Sequence, residues 1–370
     1  MCYSTIILCI IIPKHYKRKE TARYPMNQTT SASPDFHDIH ISSIQVLRGI
    51  TAIFIVLEHI RFLSCGAFGV DIFFCISGFM IMFSTHKSTQ YFLRKRIIRI
   101  VPLYYVMTIG TFALLLLFPS MFAQTKADPI FLIKSLLFIP FDIGGGILQP
   151  LMRIGWTVNC EIFFYVLFLI ALKISHKYRG LICSGLLVLL VILATVLPVN
   201  FAPLTFYGAP VMLEFIFGIV SYYIARSLYR IHCRRNLPGF LLPLCIIVSV
   251  GLFLVLMITK PMVNILGFRR PFVWGIPAFI LVLCIFIIGL LVQKLPDAFV
   301  RLGNISFSLY LMHYYPVMLL DRVIFDFSAC TPFTLLGTAV ALATSVILAL
   351  ICHEIVEIRF TKWLRKKFLC

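Results

Sequence analysis

The sequence predicts an all-α fold, a polytopic membrane helix bundle with about ten spanning helices plus one short re-entrant or outer segment. Of its 370 residues, 61% are hydrophobic and 13% are charged, and the mean hydropathy is +0.99. Soluble domains are far less apolar. Apolar stretches of about 20 residues, the length that an α-helix needs to cross a bilayer, recur along the chain. A transmembrane β-barrel is excluded, because its strands would give short alternating segments instead.

The predicted spans follow one another closely. They cover residues 43–63, 67–86, 100–118, 155–173, 180–198, 205–226, 239–259, 272–293, 305–325 and 333–357. We therefore expect a cytoplasmic N-terminal tail over residues 1–40, a transmembrane domain over 41–358 and a basic cytoplasmic tail over 359–370.

The distribution of basic residues predicts the orientation of the chain. The apolar segment Pro129–Phe141 has only 13 residues, too few to cross the hydrocarbon core. If it does not cross, 24 of the 33 Lys and Arg residues lie on the cytoplasmic side, as the positive-inside rule requires. We expect a multi-pass protein of the inner (plasma) membrane with both termini in the cytoplasm. The Lys and Arg residues that give the net charge of +19 lie in clusters between the spans, as membrane orientation requires. The lipid bilayer is therefore an expected partner and nucleic acid is not.

The first span contains three ionisable residues, Arg48, Glu58 and His59. An ionisable group near the bilayer centre costs a few kcal/mol unless it has a partner or a water-filled cavity. Arg48 and His59 are 11 residues apart, which places them on one helix face, about 16 Å apart along the axis. Glu58 lies on the flank of that face. The pattern indicates a functional site, although a snorkelling Arg48 and a hydrogen-bonded structural His59 would also satisfy it.

Five segments, in order along the chain, resemble motifs of the acyltransferase-3 family of integral membrane acyltransferases, in the form found in exopolysaccharide and O-antigen O-acetyltransferases. They are QVLRGITA at 45–52 with His59 after it, GVDIFFCISGF at 69–79, FLRKRIIRIVPLY at 92–104, GWTVNCEIFFY at 155–165 and LGNISFSLYLMH at 302–313. One departure is Val356-Glu357-Ile358, where the family usually has proline after the glutamate.

The resemblance implies the transfer of an acyl group, commonly acetyl from acetyl-CoA, to a sugar hydroxyl of a cell-envelope or exported polysaccharide, such as O-antigen, capsule or exopolysaccharide. The implied partners are an acyl-CoA donor, which serves as co-substrate, and a carbohydrate acceptor. No bound cofactor and no metal site is expected. A multi-span transporter or flippase for a lipid-linked glycan is the alternative, because intramembrane Arg, His and Glu residues can also form a proton or substrate path.

His59 is the expected catalytic residue, since imidazole can act near neutral pH as a general base or as the acceptor of the acyl group. Asp71 or Glu58 would then fix its tautomer, as a carboxylate does in a triad, unless Asp71 is merely a helix N-cap. Gly78 lies near the helix face of Asp71, so we expect spans one and two to approach closely there. Glu161 is a further catalytic candidate.

Two more groups of residues are expected to bind the substrates. Guanidinium groups suit the phosphates of the donor, although a basic cluster is also what cytoplasmic orientation alone requires; these candidates are Arg48, Arg94, Arg96 and Arg99. The acceptor candidates are polar or aromatic residues that would serve equally as an interfacial anchor or as interhelical hydrogen-bonding groups; they are Trp156, Asn159, Tyr310 and His313. On one continuous helix, Trp156, Asn159 and Glu161 cannot all face one cavity.

Overall fold

The computed structural model describes residues 36, 41–119, 126–197, 201–260, 267–292 and 294–368, and these ranges contain helices and no strands. The helices are α1 Ser42–Glu58, α2 Gly69–Ser84, α3 Phe92–Leu117, α4 Pro129–Leu136, α5 Trp156–Ile174, α6 Arg179–Val196, α7 Ala202–Tyr207, α8 Glu214–Arg235, α9 Leu241–Ile258, α10 Ile276–Leu291, α11 Asp297–Asn304, α12 Ser306–Met312, α13 Tyr314–Leu320, α14 Pro332–Cys352 and α15 Thr361–Phe368. The predicted all-α polytopic bundle is confirmed.

Seven helical stretches within the described ranges are long and apolar enough to cross a membrane. They are Phe92–Leu117, Arg153–Ile174, Arg179–Val196, Pro210–Arg235, Leu241–Ile258, Pro271–Leu291 and Pro332–Phe368. The other three predicted spans correspond to α1, to α2 and to the interrupted stretch from α12 to the π-helical turn Asp321–Phe325. α1 and α2 have 17 and 16 residues, so each is about 25 Å long.

The segment predicted not to span forms the short helix α4. Its 8 residues extend about 12 Å, well under the hydrocarbon thickness of about 30 Å. The chain then turns back through Gly144, Gly145 and Gly146, all with positive φ, where only glycine is unstrained. The Asp142 carboxylate holds this turn by accepting hydrogen bonds from two of the three backbone N–H groups. On which side of the membrane the segment lies stays a prediction.

α2 and α8 cross at a contact between glycines. A Cβ atom at Gly78 would lie 2.1 Å from the carbonyl oxygen of Phe215, and one at Gly218 would lie 2.0 Å from that of Cys75. Both distances are too short for any side chain, so the two backbones touch. Gly78 does make a close helix approach. We expected its neighbour to be the first span, but the neighbour is α8.

α1 packs in a similar way against α11. A Cβ atom at Gly303 would lie 1.9 Å from the carbonyl oxygen of Gln45, which leaves room for glycine alone. Because Gln45 meets Gly303 near the start of α1 and His59 meets His313 at its end, α1 and α12 run in the same direction. This direction decides which residues can meet at the site.

The helix that ends the chain is longer than predicted. The π-helical stretch His353–Phe360 connects α14 directly to α15, so the helical segment continues from Pro332 to Phe368. Residues 359–368, expected to form a separate tail, therefore continue the last span as a helix, and Arg365 reaches back to the bundle. The domain boundaries themselves stay predictions.

Candidate active site

A cavity of about 350 Å³ lies between α1, α2, α3, α5, α12 and the C-terminal helix. Four guanidinium groups line it, those of Arg48, Arg96, Arg99 and Arg365. Because the sequence separates these residues by up to 317 positions, the bundle alone brings them together. Their shared positive charge indicates a site for a ligand with several negative charges.

Much of this positive charge is free to meet a ligand. The Nη1 atom of Arg48 donates to Oε1 of Gln45 at 3.2 Å. Arg96 donates to Ser84 and lies over the ring of Tyr165, with 5.5 Å between its Cζ atom and the ring centroid. Within the described ranges, Arg99 and Arg365 make no hydrogen bond and no ion pair.

Arg94, the remaining donor candidate, does not line the cavity. It is exposed and lies over the ring of Tyr91, with 5.6 Å between its Cζ atom and the ring centroid. Arg96 and Arg99 are three residues apart and share a face of α3, whereas Arg94 points away from that face. Arg94 therefore lies apart from the three donor candidates that line the cavity, and its role in donor binding stays a prediction.

Two carboxylates also line the cavity, and neighbouring side chains hold both. Glu161 Oε1 accepts a hydrogen bond from Ser77 at 2.9 Å and another from Tyr165. Glu357 accepts from Ser308, and His353 Nδ1 lies 3.4 Å from its Oε1 atom. The missing proline after Glu357 does not keep this glutamate out of the site. A catalytic role for Glu161 stays a prediction.

His59 meets a second histidine. Nδ1 of His59 lies 2.9 Å from the carbonyl oxygen of Ile55 and 3.2 Å from Nε2 of His313, and the two ring centroids are 4.8 Å apart. Nδ1 of His313 lies 3.1 Å from the carbonyl oxygen of Leu309. A carbonyl oxygen only accepts, so we assign a hydrogen to Nδ1 of both rings. His59 then keeps a lone pair on Nε2, which has no hydrogen-bond partner among the described residues.

Neither predicted carboxylate orients His59. Asp71 is fully buried and pairs with Arg270 through two contacts, 2.9 Å from Nε to Oδ1 and 2.8 Å from Nη2 to Oδ2. Asp71 is also not a side-chain cap, because the residue before α2 is Phe68 and the helix makes no side-chain cap hydrogen bond. Both expectations for Asp71 are therefore wrong, since neither allowed for a buried arginine.

Glu58 turns away from His59 toward the loop that follows α1. Its carboxylate accepts hydrogen bonds from the backbone N–H groups of Gly66 at 2.8 Å and Ala67 at 3.1 Å. The ammonium group of Lys260 lies 2.6 Å from Oε1. These contacts occupy the carboxylate and anchor the loop, so the predicted contact from Glu58 to the imidazole is wrong.

The four acceptor candidates do not form one group. Tyr310 lines the cavity, and its hydroxyl donates to the carbonyl oxygen of Ile154 at 2.8 Å. Trp156 and Asn159 do not line it, which follows from the unbroken helix α5. The Trp156 ring centroid lies 5.9 Å from the Cζ atom of Arg270, and Oδ1 of Asn159 lies 3.4 Å from the Tyr104 hydroxyl. His313 pairs with His59 and does not line the cavity.

The sequence indicates neither Arg365 as a residue that lines the cavity nor Arg270 as the buried partner of Asp71. The only local signal of Arg270 is its position directly before Pro271, which opens a π-helical turn. Arg365 was assigned to the tail, and no local pattern separates it from the neighbouring lysines. In the described ranges, no three His, Cys, Asp or Glu side chains converge as metal ligands would.

Comparison with known proteins identifies a family and several relatives of this chain. The family model described as "Acyltransferase domain" matches residues 41–352. The exopolysaccharide production protein ExoZ of Rhizobium meliloti is 36% identical over 165 residues, which are 42% of this chain and 50% of ExoZ. The O-acetyltransferase OatA of Staphylococcus aureus is 28% identical over 183 residues, 44% of this chain and 30% of OatA.

The chain thus spans half of ExoZ and less than a third of OatA. The putative acetyltransferase ORF330 of Acidianus two-tailed virus is 24% identical over 319 residues, 81% of this chain and 88% of that protein. No solved structure matches the chain. Since the family model covers most of its length, including α1 to α14, the chain belongs to the acyltransferase-3 family of membrane acyltransferases.

Proposed function

We propose that the protein transfers an acetyl group from acetyl-CoA to a hydroxyl of a sugar in a cell-envelope or exported polysaccharide. The observation that carries this proposal is the cavity lined by four guanidinium groups, two of them without partners in the described ranges. Coenzyme A presents a diphosphate and a further phosphate, which arginine binds through paired hydrogen bonds. The family supplies the acyl chemistry, and the names of ExoZ and OatA support a polysaccharide acceptor.

In this proposal the Nε2 lone pair of His59 performs the chemistry. As general base, Nε2 takes the proton of the sugar hydroxyl while that oxygen attacks the thioester carbonyl; the C–S bond breaks and the coenzyme A thiolate takes up the proton. As acyl acceptor, Nε2 itself attacks the thioester and the thiolate leaves. The sugar oxygen then attacks the acyl-imidazole, the bond between Nε2 and the acyl carbon breaks, and the thiolate takes up the proton of the hydroxyl. Both routes give an O-acetyl sugar and free coenzyme A, and both need Nε2 unprotonated at the start.

The donor cavity and His59 lie at different depths of the bundle. Arg48 lines the cavity, and His59 follows 11 residues later along α1, about 16 Å further along its axis. Tyr310 lies between them: it lines the cavity, and its ring centroid is 6.1 Å from that of His313. We propose that acetyl-CoA enters from the cytoplasm and that the thioester passes Tyr310 toward His59, where a glycan approaches from outside.

This proposal is tested with purified protein in proteoliposomes, supplied with ¹⁴C-acetyl-CoA and alkali-deacetylated surface glycan of the source cells. We expect radiolabelled glycan from the wild type and none from His59→Ala at equal protein abundance. Activity of His59→Ala above about a tenth of wild type would remove His59 from the chemistry. A wild type that moves a lipid-linked glycan across the bilayer without forming acetyl ester would favour the transporter alternative.

The donor site has a matched control on the same helix. Replacing both Arg96 and Arg99 with Gln removes two guanidinium groups from the cavity, whereas Arg94→Gln removes one outside it. We expect the double variant to raise the apparent KM for acetyl-CoA by about tenfold or more, since each charged hydrogen bond contributes about 1.5–3 kcal/mol. Arg94→Gln should leave it unchanged. Equal effects of both replacements would mean that the cluster serves orientation in the membrane alone.

A further inference from the structure

We infer that His313 is the positioning residue for His59, taking the part that a carboxylate takes in a hydrolase triad. The inference rests on the proposed function, because it assigns His313 a role in the chemistry of His59. This role differs from the acceptor-binding role that the sequence predicts for His313. His313 also takes the place of Asp71 and Glu58, the two carboxylates that the sequence predicts as partners of His59.

The contacts of the histidine pair carry the argument. Nδ1–H of His59 faces two acceptors, the carbonyl oxygen of Ile55 at 2.9 Å and Nε2 of His313 at 3.2 Å. The second acceptor exists only because His313 donates its own Nδ1–H to the carbonyl oxygen of Leu309, which leaves a lone pair on Nε2. The chain of donors therefore runs in one direction. It holds the proton of His59 on Nδ1 and leaves Nε2 unprotonated for the substrate.

The structure also explains why an imidazole can serve here in place of a carboxylate. His313 is fully buried, and an unpaired carboxylate at such a site in lipid would cost several kcal/mol. A neutral imidazole adds no charge to the resting state. When His59 gains a proton or an acyl group at Nε2, its Nδ1–H becomes the donor of a charge-assisted hydrogen bond, which is about twice as strong as a neutral one.

The surrounding helices fix the distance between the two rings. The close contact of Gly303 with Gln45 binds the segment before α12 to the start of α1, and His313 follows α12 directly. Glu58, the residue before His59, is the carboxylate closest to it along the chain. Glu58 and Lys260 already pair with each other, so His313 is the side chain left to accept from His59 among the described residues.

A matched pair of variants tests whether His313 acts by accepting a hydrogen bond from His59. His313→Leu and His313→Gln have side chains of similar size, but only Gln offers an oxygen that can accept from Nδ1–H of His59. With ¹⁴C-acetyl-CoA and deacetylated surface glycan as probes, we expect kcat of the Leu variant to fall about 10- to 100-fold with the KM for acetyl-CoA within about twofold. The Gln variant should recover at least tenfold of that loss. His176→Gln controls for the loss of a histidine, because His176 does not line the cavity and its ring contacts the carbonyl oxygen of Thr85.

Each result decides one question. If the wild type forms no acetyl ester, the proposed function fails. If the wild type is active and the Leu and Gln variants have equal kcat, His313 does not position His59. If both variants fail to accumulate, the ¹⁵N spectrum of wild-type protein labelled at histidine still decides. His59, assigned by comparison with His59→Ala, should carry its proton on Nδ1 and show a ¹⁵N–¹⁵N coupling across the hydrogen bond to Nε2 of a second histidine. A proton on Nε2 of His59, or no such coupling, would overturn the inference.

Discussion

Removal of Arg270 should be far more damaging than removal of an exposed arginine. Arg270 pairs with Asp71 through two hydrogen bonds, and the two side chains are 2% and 0% exposed. A second carboxylate, that of Glu214, lies 3.9 Å from Nε of Arg270 and is also fully buried. Arg270→Met therefore leaves two carboxyl groups in the core with no cation between them.

The magnitude follows from this burial. Breaking a buried pair by removing one partner costs about 3–5 kcal/mol, which lowers the ratio of folded to unfolded protein by more than about a hundredfold. Arg61→Met is the matched control. Arg61 bridges Asp321 and Asp326, but its side chain is 53% exposed, so its loss should cost only about 0–1 kcal/mol.

The assay is equilibrium unfolding in bicelles with SDS, followed by circular dichroism at 222 nm. Arg270→Met should lower the free energy of unfolding by at least about 3 kcal/mol, and Arg61→Met should lower it by less than about 1 kcal/mol. Adding Asp71→Leu to Arg270→Met should restore part of the loss, because one of the two stranded carboxylates is then gone. If Arg270→Met and Arg61→Met shift the free energy equally, the buried pair does not stabilise the fold.

Two further predictions concern the donor cavity and the topology. Arg365→Gln should raise the apparent KM for acetyl-CoA by about tenfold, since it removes a guanidinium that lines the cavity, whereas Lys366→Gln should not; equal effects would assign the change to the net charge of α15. In a cysteine-free background, Lys126→Cys and Ile147→Cys should both react with a membrane-impermeant maleimide added outside intact cells. If only one of the two cysteines reacts, the segment that contains α4 crosses the membrane. The predicted orientation of α5 would then be reversed.

The features of the site that the sequence predicts correctly are those that depend on the geometry of a single helix. The three-residue spacing of Arg96 and Arg99 places both on one face of α3, and both do line the cavity. The 11-residue spacing in α1 likewise places Arg48 in the cavity with His59 further along the same helix. Helix period is a local property, so no knowledge of the rest of the bundle was needed.

The partners of these residues could not be predicted in the same way. Asp71 pairs with Arg270, 199 residues later, and His59 meets His313, 254 residues later. Helix period fixes the direction in which a side chain points but not the helix that it meets. The sequence placed Asp71 near His59 because the two are close in the chain. Whether Asp71 meets Arg270 or His59 depends on how the helices pack, and helix period does not determine that packing.

The glycine contact between α2 and α8 affects how mutational data on this protein should be interpreted. Neither Gly78 nor Gly218 lines the cavity, yet Ser77, beside Gly78, holds the cavity carboxylate Glu161. An added methyl at Gly218 would lie 2.0 Å from a backbone oxygen of α2, so the helices must separate and carry Ser77 with them. In a random mutagenesis screen, such lesions would mimic the loss of a ligand contact. Kinetic phenotype alone is therefore a poor guide to which residues touch the substrate.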